Sequence, residues 1–127
     1  MGSAKVLVVD DDPDFVEITR TVLQAHGFQV TSAASGREAL EAMRQDPPDV
    51  VIMDVMMRGA TEGYEISHLM RQDERLASIP VLMVSSIMDS SMADQFPTDD
   101  YLPAEEFLTK PVSPQTLVER VRALVKP

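Results

Sequence analysis

Val6-Leu7-Val8-Val9-Asp10-Asp11-Asp12-Pro13 is the stretch on which the fold turns. A continuous apolar run rich in β-branched residues suits a strand buried on both faces better than one with a wet side. Three acids end the run, and Pro13 stands where a first helical turn tolerates a residue without an N–H. Phe15, Ile18, Val22 and Leu23 then recur at helical spacing, and Gly27 supplies a stop. A buried strand that runs straight into an amphipathic helix is the opening of a βα unit.

Outward from this stretch the alternation repeats. Gln29 to Ala33 reads as a weaker strand. Ser35-Gly36-Arg37-Glu38 has the S-x-x-E form of a capping box, with Ala39, Leu40 and Met43 as the apolar stripe behind it and Pro47-Pro48 as the stop. Val50-Val51-Ile52-Met53-Asp54 is another buried strand, with a carboxylate at its C-terminal tip. Tyr64 to Asp73 reads as a helix turning Ile66, Leu69 and Met70 inward. Ile79 to Val84 is a fourth strand, ending in Ser85-Ser86, and Phe107-Leu108-Thr109 is a short fifth, followed by Lys110-Pro111. Ser113-Pro114 caps a last helix with Leu117, Val118, Val121, Leu124 and Val125 on one face. Asp89 to Glu106 is polar, holds Pro97 and Pro103, and shows no helical stripe, so at most one short helix fits there.

Strict alternation with right-handed crossovers predicts an α/β domain: a doubly wound five-stranded parallel sheet with helices on both faces and an irregular or shortened fourth helix. The 127 residues suit a single domain over the whole chain, residues 1–4 being set aside as a tail, native or added. An apolar fraction of 44% is ordinary for a globular protein, and no run approaches the ~18 residues of a membrane span. The start lacks the apolar core of a signal peptide, and the absence of cysteine fits the cytoplasm. With 21 Asp and Glu against 11 Lys and Arg, the net charge of −10 repels nucleic acid phosphates, so direct DNA binding is not expected.

Sheets of this kind bind ligands at the C-terminal ends of their strands, near the point where strand order reverses. Those ends carry Asp10-Asp11-Asp12, Asp54, Ser85-Ser86 and Lys110. Singly, each has a plain reading: acids before a helix cap it, a serine after a strand makes a turn, and a lysine is solvated. Together they form a phosphoryl-transfer kit. Converging carboxylates call for a hard divalent cation with oxygen ligands, and Mg²⁺ fits. A carboxylate nucleophile can form an acyl phosphate, while an ammonium and a hydroxyl hold the transferring oxygens.

The order V-V-D-D at Val8 to Asp11, M-D at Met53-Asp54, V-S-S at Val84 to Ser86 and F-L-T-K-P at Phe107 to Pro111 resembles the receiver domain of bacterial two-component response regulators. The resemblance covers essentially the whole chain and implies a flavodoxin-like fold. It implies that Asp54 is the phosphoacceptor and that Asp10 and Asp11 hold Mg²⁺, Asp11 directly and Asp10 largely through water. The backbone carbonyl of Met56 would complete the protein ligands. Ser85 matches the switch hydroxyl, Lys110 the family lysine, Phe107 the aromatic switch, and Lys110-Pro111 a bond usually cis in the family. A histidine kinase or phosphotransfer protein would donate the phosphoryl group. Ser85 and Lys110 would close on it, and Phe107 would rotate inward to change a surface read by a downstream protein. Such a domain catalyses only its own phosphorylation and dephosphorylation and is not an enzyme acting on a free substrate.

Three features depart from the family. Arg58 stands where a proline is usual, the loop Met57 to Gly63 is one residue longer, and the Gly-Ala before the last strand is absent. Receivers commonly dimerise or dock partners through the fourth helix, fifth strand and fifth helix, so the irregular 89–106 segment bears on any homodimer. Other readings are a pseudo-receiver, which docks without phosphorylation, and an aspartate-nucleophile phosphatase. The phosphatase would need a second acid where Met56 stands. A flavin module of the same architecture is disfavoured because acids at the first strand's tip would repel the flavin phosphate.

Overall fold

The computed structural model describes residues 4–54, 62–86, 106–110 and 112–125. Strands β1 (Lys5–Val9), β2 (Gln29–Ala33), β3 (Val50–Asp54), β4 (Val81–Ser86) and β5 (Glu106–Lys110) alternate with helices α1 (Pro13–Ala25), α2 (Gly36–Gln45), α3 (Glu62–Gln72) and α4 (Pro114–Leu124). Only β4 and β5 succeed one another without a described helix between them. The expectation of an irregular fourth helix fell on Asp89 to Glu106; Glu106 opens β5, the rest of that stretch lies outside the described residues, and the last helix is therefore α4 here.

All neighbouring strands pair in parallel, in a five-stranded sheet of order β2-β1-β3-β4-β5. Period-two alternation sorts the strand residues onto two faces. Leu7, Val9, Val51, Met53, Val81 and Met83 join Ala39 and Met43 of α2 and Ile66 and Met70 of α3 in one core. Val6, Val8, Val50, Ile52, Leu82 and Val84 join Leu23 of α1 and Leu117, Val118 and Val121 of α4 in the other. Helices thus cover both faces, and the near-continuous apolar runs of β1 and β3 are what a sheet with no wet side requires.

Local chemistry sets the helix ends. The Asp12 carboxylate accepts from the Asp14 N–H, and Pro13 opens α1. Ser35 Oγ accepts from the Glu38 N–H at 3.2 Å, and the Glu38 carboxylate returns to the Ala34 N–H at 3.3 Å, a capping box reaching one residue further back than the usual form. Ser113 Oγ accepts from the Thr116 N–H at 3.1 Å. Gly27, at φ 91, takes the left-handed conformation that ends α1 at little cost to glycine alone.

Several sequence expectations shift. Ile18 is 60% exposed, while Thr19, about 100° round the helix, lies in the interior. The inner stripe of α1 therefore runs through Thr19 and Leu23. Leu69 is 47% exposed because Ile66, Ser67 and Met70 take the inner face of α3. That helix begins at Glu62 rather than Tyr64, with Gly63 carried inside its first turn, and it ends at Gln72 rather than Asp73. Strand β4 begins at Val81 rather than Ile79: the Ile79 N–H is used by Leu76 in a turn, and Pro80 has none to give. Arg71 ties that turn down by donating to the carbonyls of Ala77 (2.6 Å) and Ile79 (3.2 Å).

Candidate functional site

In this strand order the chain goes from β1 to β2 on one side and crosses to β3 on the other, so the switch point lies between β1 and β3. A parallel α/β sheet leaves a crevice there, at the C-terminal ends of the two strands. Asp10 immediately follows β1 and Asp54 is the last residue of β3. Val9 pairs with Met53, so the two aspartates succeed that pair on adjacent strands.

Asp10 is 2% exposed and Asp54 7%, whereas Asp11 stands open to solvent. One carboxylate oxygen from each of Asp10, Asp11 and Asp54 lies within 4.8 Å of the others. Like charges at that spacing, two of them nearly dry, repel strongly, and a bound cation would relieve the arrangement. An all-oxygen, all-carboxylate donor set fits a hard divalent ion such as Mg²⁺ better than a soft metal. Backbone contacts fix the Asp10 end of the cluster: its N–H donates to the Ala33 carbonyl at 3.1 Å, and its Oδ1 accepts from the Asp12 N–H at 2.9 Å.

The remaining expected residues are placed by the backbone course of β4 and β5. Asp54 pairs with Val84, Val84 with Leu108, Ser85 with Thr109 and Ser86 with Lys110. Ser85 therefore stands one step, and Lys110 two steps, beyond the row that holds Asp54, at the same edge of the sheet. Phe107 lies within β5, one step before that row, paired with Met83. Met56, Arg58 and Pro111 fall outside the described residues, and with them the backbone ligand, the missing proline and the Lys110-Pro111 bond.

Asp12 does not join the cluster. It is the N-cap of α1, its Oδ1 accepting from the Asp14 N–H at 3.0 Å and its carbonyl from the Val16 N–H at 3.1 Å. The acid run is thus divided: Asp12 caps α1, while Asp10 and Asp11 cluster with Asp54. The sequence holds the signal that separates them: an Asp-Pro pair marks the cap, leaving Asp10 and Asp11 for the strand tip.

No helix among the described residues is long and apolar enough to cross a membrane. The family model for the response regulator receiver domain matches residues 6–122. Protein PilH of Pseudomonas aeruginosa is 33% identical over 126 residues, spanning 96% of this chain and 98% of its own. A protein described as the probable transcriptional regulator ycf27 of Guillardia theta is 37% identical over 122 residues, covering 96% of this chain but 45% of its own length. The chain spans about half the length of several curated relatives it matches. Among solved structures, the chemotaxis response regulator CheY4 of Vibrio cholerae superposes with a TM-score of 0.81 at 33% identity, covering 96% of this chain and 98% of that one. The receiver domain of the Francisella response regulator 1452 does so with a TM-score of 0.80 at 28% identity, covering 97% of each.

Proposed function

The chain belongs to the response regulator receiver domain family, and from that premise we propose that it is a phosphoacceptor module of a two-component relay, with Asp54 as the acceptor. One observation carries the reading above all: the adjacent pair Asp10-Asp11 and Asp54, distant from it in sequence, meet at the switch point of the sheet with their oxygens within 4.8 Å. Nothing in packing requires three carboxylates there, since burying acids is costly unless a charge balances them.

In the proposed reaction an Asp54 carboxylate oxygen attacks the phosphorus of a phosphohistidine on a kinase or phosphotransfer protein. The new O–P bond forms as the P–N bond breaks, and the freed imidazole nitrogen keeps the bonding pair and takes up a proton. Asp10, Asp11 and Asp54, with the Met56 carbonyl, would hold Mg²⁺, which when bound neutralises charge on the transferring oxygens. Lys110 and Ser85 are assigned to the phosphoryl oxygens, a role that suits an ammonium and a hydroxyl at the same sheet edge. Phe107 is assigned to the switch, where without a hydroxyl it works through packing alone. The output is a changed docking surface for a downstream protein. The chain has no free substrate and acts as a signalling module.

The test uses acetyl phosphate and Mg²⁺ with the whole chain, weighed intact beside Asp54→Asn. The expected result is a gain of one phosphoryl mass, abolished by EDTA and by the substitution. A folded protein that binds Mg²⁺ and gains nothing from acetyl phosphate or from a phosphorylated phosphotransfer protein would instead be a pseudo-receiver, docking in one constant state.

A further inference from the structure

We propose that Asp12 is a positioning residue for the acid cluster: by capping α1 it holds the backbone N–H that fixes the Asp10 carboxylate. The proposal rests on reading Asp10, Asp11 and Asp54 as a Mg²⁺-dependent phosphorylation site, and it gives the third acid of the run a task distinct from binding the metal.

Two hydrogen bonds in series make the case. The Asp12 N–H donates to Asp10 Oδ1 at 2.9 Å, so the orientation of the Asp10 carboxylate depends on where the backbone at residue 12 stands. That backbone is held by Asp12 itself. Its side chain accepts from the Asp14 N–H at 3.0 Å, its carbonyl accepts from the Val16 N–H at 3.1 Å, and its φ of −95° and ψ of 105° are the extended values of an N-cap. Pro13 has no N–H, so the capping oxygen must reach past it to Asp14. Asp11 lies between two anchored residues, and its exposed side chain springs from a segment pinned at both ends. Removing the capping oxygen frees the first turn of α1, and the slack passes directly to the Asp12 N–H and so to Asp10. Groups that orient a metal ligand without touching the metal commonly change affinity by about 10–100-fold when removed.

Asp12 also carries a charge near the cluster, and the experiment must separate charge from capping. Asp12→Asn, Asp12→Ser and Asp12→Ala lose the same charge, but asparagine and serine keep an oxygen able to cap, and alanine does not. Mg²⁺ affinity of the whole chain is read by titration calorimetry. Exchange of the residue-12 amide with deuterium, in the absence of metal, reads its hydrogen bond to Asp10. Circular dichroism confirms that each variant is folded. The expected result is that Asp12→Ala binds Mg²⁺ about ten-fold more weakly than the Asn and Ser variants and exchanges that amide faster than either. Equal affinity in all three variants, with equal exchange, overturns the proposal and leaves Asp12 acting by charge alone. A wild-type chain that binds no Mg²⁺ overturns the site reading instead. The exchange comparison then still decides the link: protection lost only in the alanine variant upholds it, and protection kept in all three sinks it.

Discussion

Asp10 and Asp54 illustrate how differently a residue reads alone and in place. An aspartate before a helix or at a strand end is ordinary in sequence, and only the crossing from β1 to β3 brings these two together in the interior. The sequence did carry the acids, their order and their strand-tip setting, because a strand buried on both faces leaves polar residues only its ends. Polarity, equal throughout, did not divide the run of three acids; the one mark in the sequence was Pro13, which sets Asp12 apart as the cap of α1. Thr19 escaped notice for a related reason: periodicity built from apolar residues does not register a hydroxyl on the inner face. Its Oγ1 is buried with no hydrogen-bond partner among the described residues. Removing an orphaned hydroxyl while keeping the side-chain shape should help, so Thr19→Val is expected to stabilise the fold by ~1 kcal/mol, read by urea unfolding. A loss of stability would mean that the hydroxyl has a partner, such as an ordered water.

At the scale of the elements, strands β1 and β3 and the starts of α1, α2 and α4 were the most legible features. β1 and β3 are unbroken apolar runs, and α1, α2 and α4 each begin with a side-chain cap whose oxygen accepts from the first turn. These caps are worth testing because their energies separate from the core. Ser35→Ala and Ser113→Ala should each cost about 1 kcal/mol in unfolding free energy, and Ser35→Asp should recover most of it. A cost of zero for Ser113→Ala would show that Pro114 alone suffices to start α4. The phases of α1 and α3 were less legible. Helical spacing in each offered more apolar residues than the sheet could cover, and Ile18 and Leu69 were the ones left facing water. The α3–β4 turn was hidden because Ile79 and Pro80 look like strand residues. What withdraws them is the 71–80 network, in which Arg71 donates to the turn's carbonyls and Leu76 and Ile79 tuck into the core.

For the whole molecule, one sheet carries two tasks on perpendicular directions. Its faces hold separate cores that knit the domain together, and its C-terminal edge gathers the acids and the ends of β4 and β5. The acid excess is a cost distributed over the entire chain. With a net charge of −10, self-repulsion opposes the compact state, so raising NaCl from low to physiological ionic strength should lift Tm by a few degrees in a scanning calorimeter. A Tm that falls with salt would instead show that surface ion pairs such as Lys5–Asp46, at 2.7 Å, outweigh the repulsion. Phosphoryl acceptance, however, rests on a single residue. Borohydride reduces an acyl phosphate to an alcohol, so treating the acetyl phosphate-reacted protein and sequencing its peptides by mass spectrometry marks the acceptor permanently. Homoserine is expected at position 54 and at no other aspartate, and only in samples that received Mg²⁺. Homoserine at Asp10, Asp11 or elsewhere, or none at 54 in a protein that has gained phosphoryl mass, would contradict it.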